Sequence, residues 1–364
     1  METKNKLRVG IIGATGMVGQ RFITLLSKHP WYEIAALAAS KSSSGKTYEE
    51  AVAGRWMMDT PIPDNARSII VQNASEVDKV AALCDFVFCA VSLPKAETLA
   101  LEESYAKAET PVISNNSAAR TLADVPMLIP EINPQHAPII EFQKKRLGTK
   151  SGFIAVKPNC SIQSYVPALA PLLGFLPETV IVSTYQAISG AGRTFETWPE
   201  MADNVIPYIG GEEEKSEQEP LKIWGVIDDG KIVSAAKPVI SATCVRVAAS
   251  DGHMASVSVK FVKAPSYDDI MKRWQNYEPI PQRWNLPSAP KPFIKYMEEA
   301  DRPQTRLDRD FANGMGITIG RLRPDPVLDW RFVALSHNTL RGAAGGAVLM
   351  AELLTAEGYI KMKN

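Results

Sequence analysis

The sequence predicts an α/β protein that begins with a doubly wound parallel sheet. Apolar runs typical of buried strands alternate with helical patterns in the first part of the chain. A glycine-rich turn separates the first predicted strand from the first predicted helix. A chain of 364 residues also exceeds one ordinary hydrophobic core, so we expect two domains.

The composition excludes several classes of function. Apolar residues make up 45% of the chain and charged residues 22%, as in soluble globular proteins. Because 40 basic residues balance 40 acidic ones, we expect no nucleic-acid partner. No apolar run reaches the roughly 18 residues of a membrane span. The N-terminal segment enters a glycine turn after one short apolar run, and we do not expect it to be a signal peptide.

The cysteines favour a reducing compartment. Cys84, Cys89, Cys160 and Cys244 form no CxxC pair, and only four histidines accompany them. Neither a disulfide framework nor a metal site is therefore predicted, and the cytoplasm is the expected location. All except Cys160 lie in apolar runs and are expected to be packing residues.

The first predicted element is a strand, a turn and a helix in "LRVGIIGATGMVGQRFITLL", of the Rossmann type. Gly13, Gly16 and Gly19 recur at every third residue between the apolar strand and the amphipathic helix. Their missing side chains let the backbone approach a pyrophosphate at the helix N-terminus. The spacing GxxGxxG differs from the commoner GxGxxG, so a tight turn without a ligand remains an alternative.

The next predicted strand, "YEIAALAAS", ends in a segment that favours NADP over NAD. NAD-binding proteins usually place an acid at this point, against the ribose hydroxyls. Residues 40–46 read "SKSSSGK" instead, and Lys41 with its neighbouring hydroxyls suits a 2′-phosphate. A flexible serine-rich loop is the alternative. Two further strands, in "CDFVFCAVS" and "TPVISNNSAAR", lead into polar loops, where ligands of such sheets gather.

Cys160 lies in "KPNCSIQS", at the predicted start of a helix. Asn159 favours a turn, and Pro167 and Pro171 should bend or shorten the helix that follows. Unpaired N–H groups at a helix N-terminus stabilise a thiolate, so we expect the pKa of Cys160 to be lowered. From this context alone Cys160 is either a nucleophile or a structural cysteine.

The segment "CVRVAASDGHMASVSVKF" predicts two strands joined at Asp251-Gly252 by a hairpin or a similar bend. His253 follows the turn, where it should be exposed, and Arg246 lies on the incoming strand. A histidine can exchange protons near neutral pH, and an arginine can bind a carboxylate with two parallel bonds. Each could equally be an ordinary turn residue or part of a structural ion pair.

Seven motifs together carry a family resemblance. In chain order they are "GATGMVG", "SNNSAAR", "PNCS", "TYQAISGAGR", "GEEEKSEQEPLKIWG", "RVAASDGH" and "HNTLRGAAGGAV". The chain resembles the aspartate-β-semialdehyde dehydrogenases, most closely their archaeal and fungal branch. The resemblance implies reduction of L-aspartyl-4-phosphate by NADPH to L-aspartate-4-semialdehyde and phosphate, through a cysteine thioester. This reaction belongs to the biosynthesis of lysine, threonine, methionine and isoleucine.

The resemblance also implies roles for particular residues. Cys160 would be the nucleophile, His253 the general acid/base and Gln186 a residue that orients the substrate. The implied substrate-binding residues are Arg246 for the α-carboxylate, Glu213 for the ammonium group, Lys215 and Arg120 for the phosphate, and their neighbour Asn116. For most of the other acids at 212–219 we expect a solvated helix face.

The implied cofactor is NADP, and its binding residues fall into four groups. Gly13, Thr15, Gly16, Met17 and Val18 would surround the phosphates, and Ser40, Lys41 and Ser43 the 2′-phosphate. Ser92 would pass beneath the nucleotide, and Ser189, Gly190 and Asn338 would line the nicotinamide. His337 is expected to be an ordinary polar loop residue.

The resemblance further implies a division of the chain. Residues 1–156 would form a Rossmann-type domain that binds NADP, and residues 157–341 an α+β catalytic and dimerisation domain. A helix within 342–364 would pack back on the first domain. A homodimer or homotetramer is implied, assembled through a sheet of the second domain.

Some residues depart from the family pattern, and rival functions stay open. Ala248 and Ala249 replace bulkier residues, and Asn116 and Ala119 stand where relatives often have Ala and His; these changes concern fine substrate preference. The main rival is an acyl-CoA reductase resembling malonyl-CoA reductase. N-acetylglutamyl-phosphate reductase typically has Pro-Gly before its cysteine, and a silent NADP-binding sensor would not need the four reactive residues together.

Overall fold

The computed structural model describes residues 6–363. Residues 1–5 and 364 lie outside the described residues, and with them the start of the segment for which no signal peptide is expected. In the described part of the chain, the strands form a six-stranded sheet, a seven-stranded sheet and a two-stranded hairpin. No helix within residues 6–363 combines the length and the apolar character needed to cross a membrane.

The first sheet is doubly wound, as the sequence predicts. Its strands are all parallel and lie in the order β3-β2-β1-β4-β5-β6. They are β1 (Leu7–Ile12), β2 (Tyr32–Ala39), β3 (Gln72–Asn73), β4 (Phe86–Cys89), β5 (Val112–Ser114) and β6 (Ile154–Val156). The strand order reverses between β1 and β4, so a crevice opens at their carboxyl ends, where dinucleotides bind.

Helices cover this sheet, and its strands are buried between two apolar clusters. The helices are α1 (Met17–Leu26), α2 (Tyr48–Ala51), α3 (Asp64–Arg67), α4 (Val77–Ala81), α5 (Lys95–Lys107) and α6 (Ile140–Leu147). Phe22 of α1 stacks on Phe88 of β4 with ring centroids 4.3 Å apart. Burial of near-continuous apolar strands on both faces holds such a sheet together.

The second sheet is mixed, in the order β13-β14-β15-β12-β7-β11-β8. Its strands are β7 (Pro177–Gln186), β8 (Val205–Ile206), β11 (Val239–Val247), β12 (His253–Phe261), β13 (Ile294–Met297), β14 (Ile317–Pro324) and β15 (Trp330–Ser336). A separate hairpin joins β9 (Val226–Asp228) to β10 (Lys231–Val233). The helices are α7 (Ile162–Leu169), α8 (Glu212–Ile223), α9 (Tyr267–Gln275), α10 (Ile280–Arg283), α11 (Thr305–Asp308) and α12 (Gly345–Ala356).

The two faces of the seven-stranded sheet differ. One face packs against α7 and α9, where buried Trp274 meets Phe332 edge-on with ring centroids 5.4 Å apart. On the other face, Ile181, Tyr185 and Val239 keep between 38% and 55% of their surface exposed. In a single chain this second face is therefore an open surface with apolar side chains on it.

Helix α12 returns to the first sheet. Its residues Ala347, Val348, Ala351 and Leu354 belong to the same buried cluster as residues of α1 and β1. A π-helical turn, Leu340–Ala344, leads directly into α12. The end of the chain thus contributes to the core that supports the predicted nucleotide site.

The strands on either side of Asp251-Gly252 form as predicted, but they do not pair as a hairpin. β7 lies between β11 and β12, parallel to the first and antiparallel to the second. The turn therefore crosses the end of β7. The expected exposure of His253 is wrong: the residue begins β12 and is fully buried.

Candidate active site

A cleft of about 320 Å³ lies where the carboxyl end of the first sheet faces the second domain. Residues that follow β5 and β6 form one wall, and segments that follow β7 and β15 form another. Eight of the predicted site residues line it: Met17, Val18, Arg120, Cys160, Ser189, Gly190, Lys215 and Asn338. The sequence therefore predicts much of this cleft from widely separated motifs.

The glycine turn between β1 and α1 leaves room for an anionic group. Gly13 has φ +88°, and a Cβ there would lie 2.3 Å from the carbonyl oxygen of Ala90. A Cβ on Gly19 would lie 2.2 Å from the Gly13 carbonyl oxygen, so helix and turn pack too closely for any side chain. No side chain caps α1 at Gly16. Its free N–H groups and positive end suit a pyrophosphate.

The other predicted cofactor residues lie away from Cys160. The end of β2 adjoins the glycine turn, because Ala38 accepts hydrogen bonds from the N–H groups of Gly13 and Ala14 at 2.9 and 3.0 Å. Ser40 and Lys41, just beyond, are exposed, whereas Ser43 is buried. Thr15 lies in the glycine turn, and Ser92 is exposed beyond β4. Ser40 and Lys41 therefore follow a strand end that is bonded directly to the glycine turn.

Cys160 is fixed by its neighbours on both sides. Asn159 Oδ1 accepts hydrogen bonds from the N–H and the hydroxyl of Ser161, both at 2.7 Å, which closes the turn before α7. A Cβ on Gly342 would lie only 2.9 Å from the Cβ of Cys160, so the π-helical turn packs directly against the nucleophile candidate. As its prolines predict, α7 is short and continues as a 3₁₀ turn, Ala170–Phe175.

The expected lowering of the Cys160 pKa is wrong for the free protein. Burial raises the pKa of this thiol, and the nearby Glu212 carboxylate raises it further. Lys157, Arg120 and Arg246 act in the opposite direction. The thiol is therefore protonated at neutral pH until the balance of nearby charge changes.

Lys157 is a buried cation that sequence reasoning missed. Only 2% of its surface is exposed, and its Nζ donates to the carbonyl oxygen of Pro158 at 2.7 Å. Burial lowers its pKa to about 7. Its place three residues before Cys160 was visible in "KPNCS", but nothing in the sequence indicates that the ammonium group is buried.

His253 is a hydrogen-bond donor through Nε2 in this arrangement. Its Nδ1 accepts the N–H of Ala187 at 3.1 Å, so the neutral ring carries its proton on Nε2. Nε2 is buried, has no hydrogen-bond partner among residues 6–363, and lies 3.0 Å from the position a Cβ on Gly190 would take. Burial, followed by the charge of Arg246, lowers the pKa of His253 to about 3. The ring is thus uncharged, and its N–H lies behind Gly190, which lines the cleft.

Acidification should destabilise the protein through His253. An unfolded histidine binds its proton near pH 6.5, whereas the buried ring does so only near pH 3. Between these values the unfolded state binds more protons, so the free energy of unfolding falls as the pH falls, by up to about 1.4 kcal/mol per unit. Urea unfolding of the wild type and of His253→Asn should diverge in this way between about pH 6 and pH 4. A pH-independent difference between the two proteins would contradict the argument.

Arg246 and Gln186 lie beside His253. Arg246 is buried on β11, and its Nη1 donates to the carbonyl oxygen of Ala187 at 2.7 Å. The same Nη1 lies 2.8 Å from the Cβ position of Gly190. Gln186 Nε2 is 3.3 Å from a carboxylate oxygen of Glu212. Any side chain at 190 would therefore collide with both the guanidinium and the imidazole.

Glu212 faces the cleft, and Glu213 does not. Glu213 accepts the backbone N–H of Cys244 at 3.1 Å and so faces β11. Glu212 lines the cleft and accepts from Asn159 Nδ2 at 2.9 Å and from Lys215 Nζ at 2.8 Å. Although burial raises the pKa of Glu212, the bonds from Lys215 and Asn159 hold it below the usual value, so the carboxyl is ionised.

Asn116 also faces away from the cleft. Its Nδ2 donates to the buried carboxyl of Glu102 at 2.9 Å, whereas neighbouring Asn115 lines the cleft. Neither the oxygen nor the nitrogen of the Asn115 side chain has a partner within the described residues. The amide available for a ligand therefore belongs to Asn115, and the two adjacent asparagines gave no signal to distinguish them.

The remaining predicted residues form one edge of the cleft. Asn338 Nδ2 donates to the hydroxyl of Ser189 at 2.8 Å, and Asn338 Oδ1 accepts the N–H of Gly252 at 2.8 Å. His337 lies in the loop after β15 and is buried, and its Nδ1 accepts from the N–H of Thr339. Within residues 6–363, no cluster of three or more His, Cys, Asp or Glu residues is arranged to bind a metal.

The fold and the glycine turn together define the class of protein as a dehydrogenase with a dinucleotide-binding domain. The chain matches the family models for the NAD binding domain of semialdehyde dehydrogenase over residues 8–139 and for its dimerisation domain over residues 169–341. It belongs to the aspartate-semialdehyde dehydrogenase family, which confirms the resemblance of the seven motifs.

Relatives match over almost the whole chain. The chain is 43% identical to aspartate-semialdehyde dehydrogenase from Archaeoglobus fulgidus over 354 residues, which cover 97% of this chain and 99% of the relative. It is 41% identical to the enzyme from Aspergillus fumigatus, with 99% and 100% covered. The crystal structure of aspartate-semialdehyde dehydrogenase with NADP from Candida albicans has a TM-score of 0.88 and 38% identity, covering 98% of this chain and all of that one.

Proposed function

We propose that this enzyme reduces L-aspartyl-4-phosphate with NADPH to L-aspartate-4-semialdehyde and phosphate, through a thioester on Cys160. The product would serve biosynthesis of lysine, threonine, methionine and isoleucine. One observation carries the proposal: Cys160 shares a cleft with Arg120 and Lys215, which suit a phosphate, and lies close to Arg246, which suits a carboxylate. The names of the archaeal and fungal relatives support the same substrate.

The glycine turn fits NADP as the cofactor. The space left at Gly13 and the uncapped start of α1 suit the pyrophosphate, and exposed Lys41 with Ser40 suits a 2′-phosphate. Ser189 and Asn338 line the cleft near Cys160, where the nicotinamide would lie. Bound NADPH supplies the hydride that reduces the thioester. The related structure from Candida albicans, solved with NADP, supports this choice.

The chain's own residues account for the covalent steps. Sγ of Cys160 attacks the acyl carbon, the C–O bond to phosphate breaks, and the thiol proton leaves with the phosphate. After reduction, the oxyanion of the hemithioacetal accepts a hydrogen bond from Nε2–H of His253 and re-forms the carbonyl group as the C–S bond to Cys160 breaks. A solvent proton then restores the thiol, so the cycle consumes one acyl phosphate, one NADPH and one proton.

Glu212 should bind the ammonium group of the substrate in place of Glu213. Glu212→Gln is expected to lower kcat/KM for the semialdehyde by about tenfold to a hundredfold, because a buried charge-assisted contact is lost. The matched variant Glu213→Gln removes the same charge one residue away and should stay within about threefold of the wild type. Steady-state kinetics of both variants make the comparison. A larger loss in Glu213→Gln would return the role to Glu213.

The open face of the seven-stranded sheet and the unpaired cysteines bear on assembly and location. We infer a homodimer or homotetramer formed through the open face of the seven-stranded sheet, which carries Ile181, Tyr185 and Val239. Residues 1–156 with α12 would bind the cofactor, and residues 157–341 would provide catalysis and assembly. Four unpaired cysteines fit the cytoplasm.

The direct test measures the reverse, oxidative reaction. Semialdehyde, phosphate and NADP should together produce NADPH, observed by its near-ultraviolet absorbance, and omission of phosphate should abolish the signal. Oxidation that needs coenzyme A instead of phosphate would favour the acyl-CoA reductase. Absence of turnover with either acceptor would refute both readings.

A further inference from the structure

Helix α8 carries a second buried acid, Glu219, two turns after Glu212. Only 8% of its surface is exposed. Its Oε1 accepts from Nη1 of Arg120 at 2.9 Å, and its Oε2 accepts from the backbone N–H of Asn159 at 2.5 Å. One carboxylate therefore joins the arginine of the proposed phosphate site to the backbone N–H of Asn159, the residue directly before Cys160.

The contacts of Arg120 leave donors free for an anion. Nη1 is held by Glu219, and Nη2 donates to the carbonyl oxygen of Asn115 at 3.3 Å. Nε is buried without a partner among the described residues. A guanidinium has five N–H donors in a fixed plane, so two bonds set its orientation and three donors remain.

The hydrogen bond from the Asn159 N–H to Glu219 affects the position of Cys160, the proposed nucleophile. The side chain of Asn159 is bonded to Glu212 and to Ser161, and its backbone N–H is bonded to Glu219. A charge-assisted bond to a buried N–H is strong and directional. It therefore fixes the turn from which Sγ must reach the acyl carbon.

We propose that Glu219 is a positioning residue. It holds the Arg120 guanidinium and the Cys160 turn in the relative position that attack on an acyl phosphate requires. This inference rests on the proposed function, since it takes Arg120 as a phosphate ligand. Glu219 itself touches neither substrate nor cofactor. Its effect should therefore be largest on phosphate use and on turnover, and small on NADP.

Glu219→Gln keeps the shape and removes the charge. In the oxidative direction, the KM for phosphate should rise about tenfold, the size of one charge-assisted contact, and kcat should fall, while the KM for NADP stays within about twofold. Glu219→Asp keeps the charge but cannot reach both partners, so it should show a smaller rise. The control Glu217→Gln lies on the same helix, where Glu217 accepts, from the part of the chain that the structure describes, only the N–H of Ala242, and it should match the wild type. Thermal unfolding checks that each variant is folded.

A double-mutant cycle separates positioning from a purely structural role. In an Arg120→Ala background, Glu219→Gln should raise the KM for phosphate by less than about twofold, because the group it orients is gone. An equal rise in both backgrounds, or an equal rise in the KM for phosphate and for NADP, would overturn the inference. Arg120→Ala with an unchanged KM for phosphate would overturn the phosphate site and this inference with it. An impaired Arg120→Ala beside a normal Glu219→Gln would overturn this inference alone.

Discussion

Cys160→Ala should abolish turnover, by about four orders of magnitude or more, while the affinity for NADP stays within about twofold. The other three cysteines are buried outside the cleft, so no second thiol can form the thioester. Loss of the nucleophile removes the covalent route altogether. The glycine turn that suits the dinucleotide belongs to β1 and α1, and the substitution leaves it intact.

Steady-state assays and titration of NADP measure the two quantities. Cys160→Ser should be nearly as inactive, because a hydroxyl ionises far less readily than a thiol. Cys84→Ala, which removes a buried thiol from the core of the first sheet, should retain most of its turnover. Activity above about a tenth of the wild type in Cys160→Ala would refute the assignment.

His253→Asn should lower kcat by about a hundredfold to ten-thousandfold, because a positioned acid or hydrogen-bond donor usually accelerates a reaction by about this factor. The asparagine oxygen can still accept the N–H of Ala187, but no donor remains behind Gly190. Because the ring is neutral and donates through Nε2, the alkylation rate of Cys160 by iodoacetamide should change by less than about threefold.

His253→Gln is the matched variant. Its longer amide can place an N–H near the position of Nε2, so it should keep more activity than His253→Asn. A large loss of Cys160 alkylation in either variant would show that the imidazole acts on the thiol instead. An unchanged kcat in both would remove His253 from the mechanism.

Local patterns predicted the first domain well. The strand, glycine turn and helix at its start need only neighbours in the sequence, and Gly13 and Gly19 are where side chains would collide. The same repeated pattern predicted a doubly wound parallel sheet, which the structure has. The archaeal and fungal relatives then confirmed the family that the motifs predicted.

The errors concern side chains whose surroundings come from distant parts of the chain. His253 is buried because β7 and β15 lie on either side of β12, which a turn dipeptide cannot reveal. The pKa of Cys160 is raised by burial and by Glu212, which lies 52 residues later in the sequence.

The sequence of α8 contains a pattern that predicts which of its acids are buried. Glu212, Ser216, Glu219 and Ile223 recur at helical spacing, and all four are buried on one face. Since Ile223 marks that face as internal, the expectation of a solvated face for Glu212 and Glu219 was wrong. Glu213 lies next to this face and meets β11.

The return of α12 to the first sheet has a consequence for synthesis of the protein. Ala347, Val348, Ala351 and Leu354 fill part of the core shared with α1 and β1. A nascent chain that has just released its N-terminal half from the ribosome therefore lacks a piece of that half's interior. The nucleotide-binding half can complete its packing only after α12 has been translated, so its folding waits for a segment that is made after the whole seven-stranded sheet.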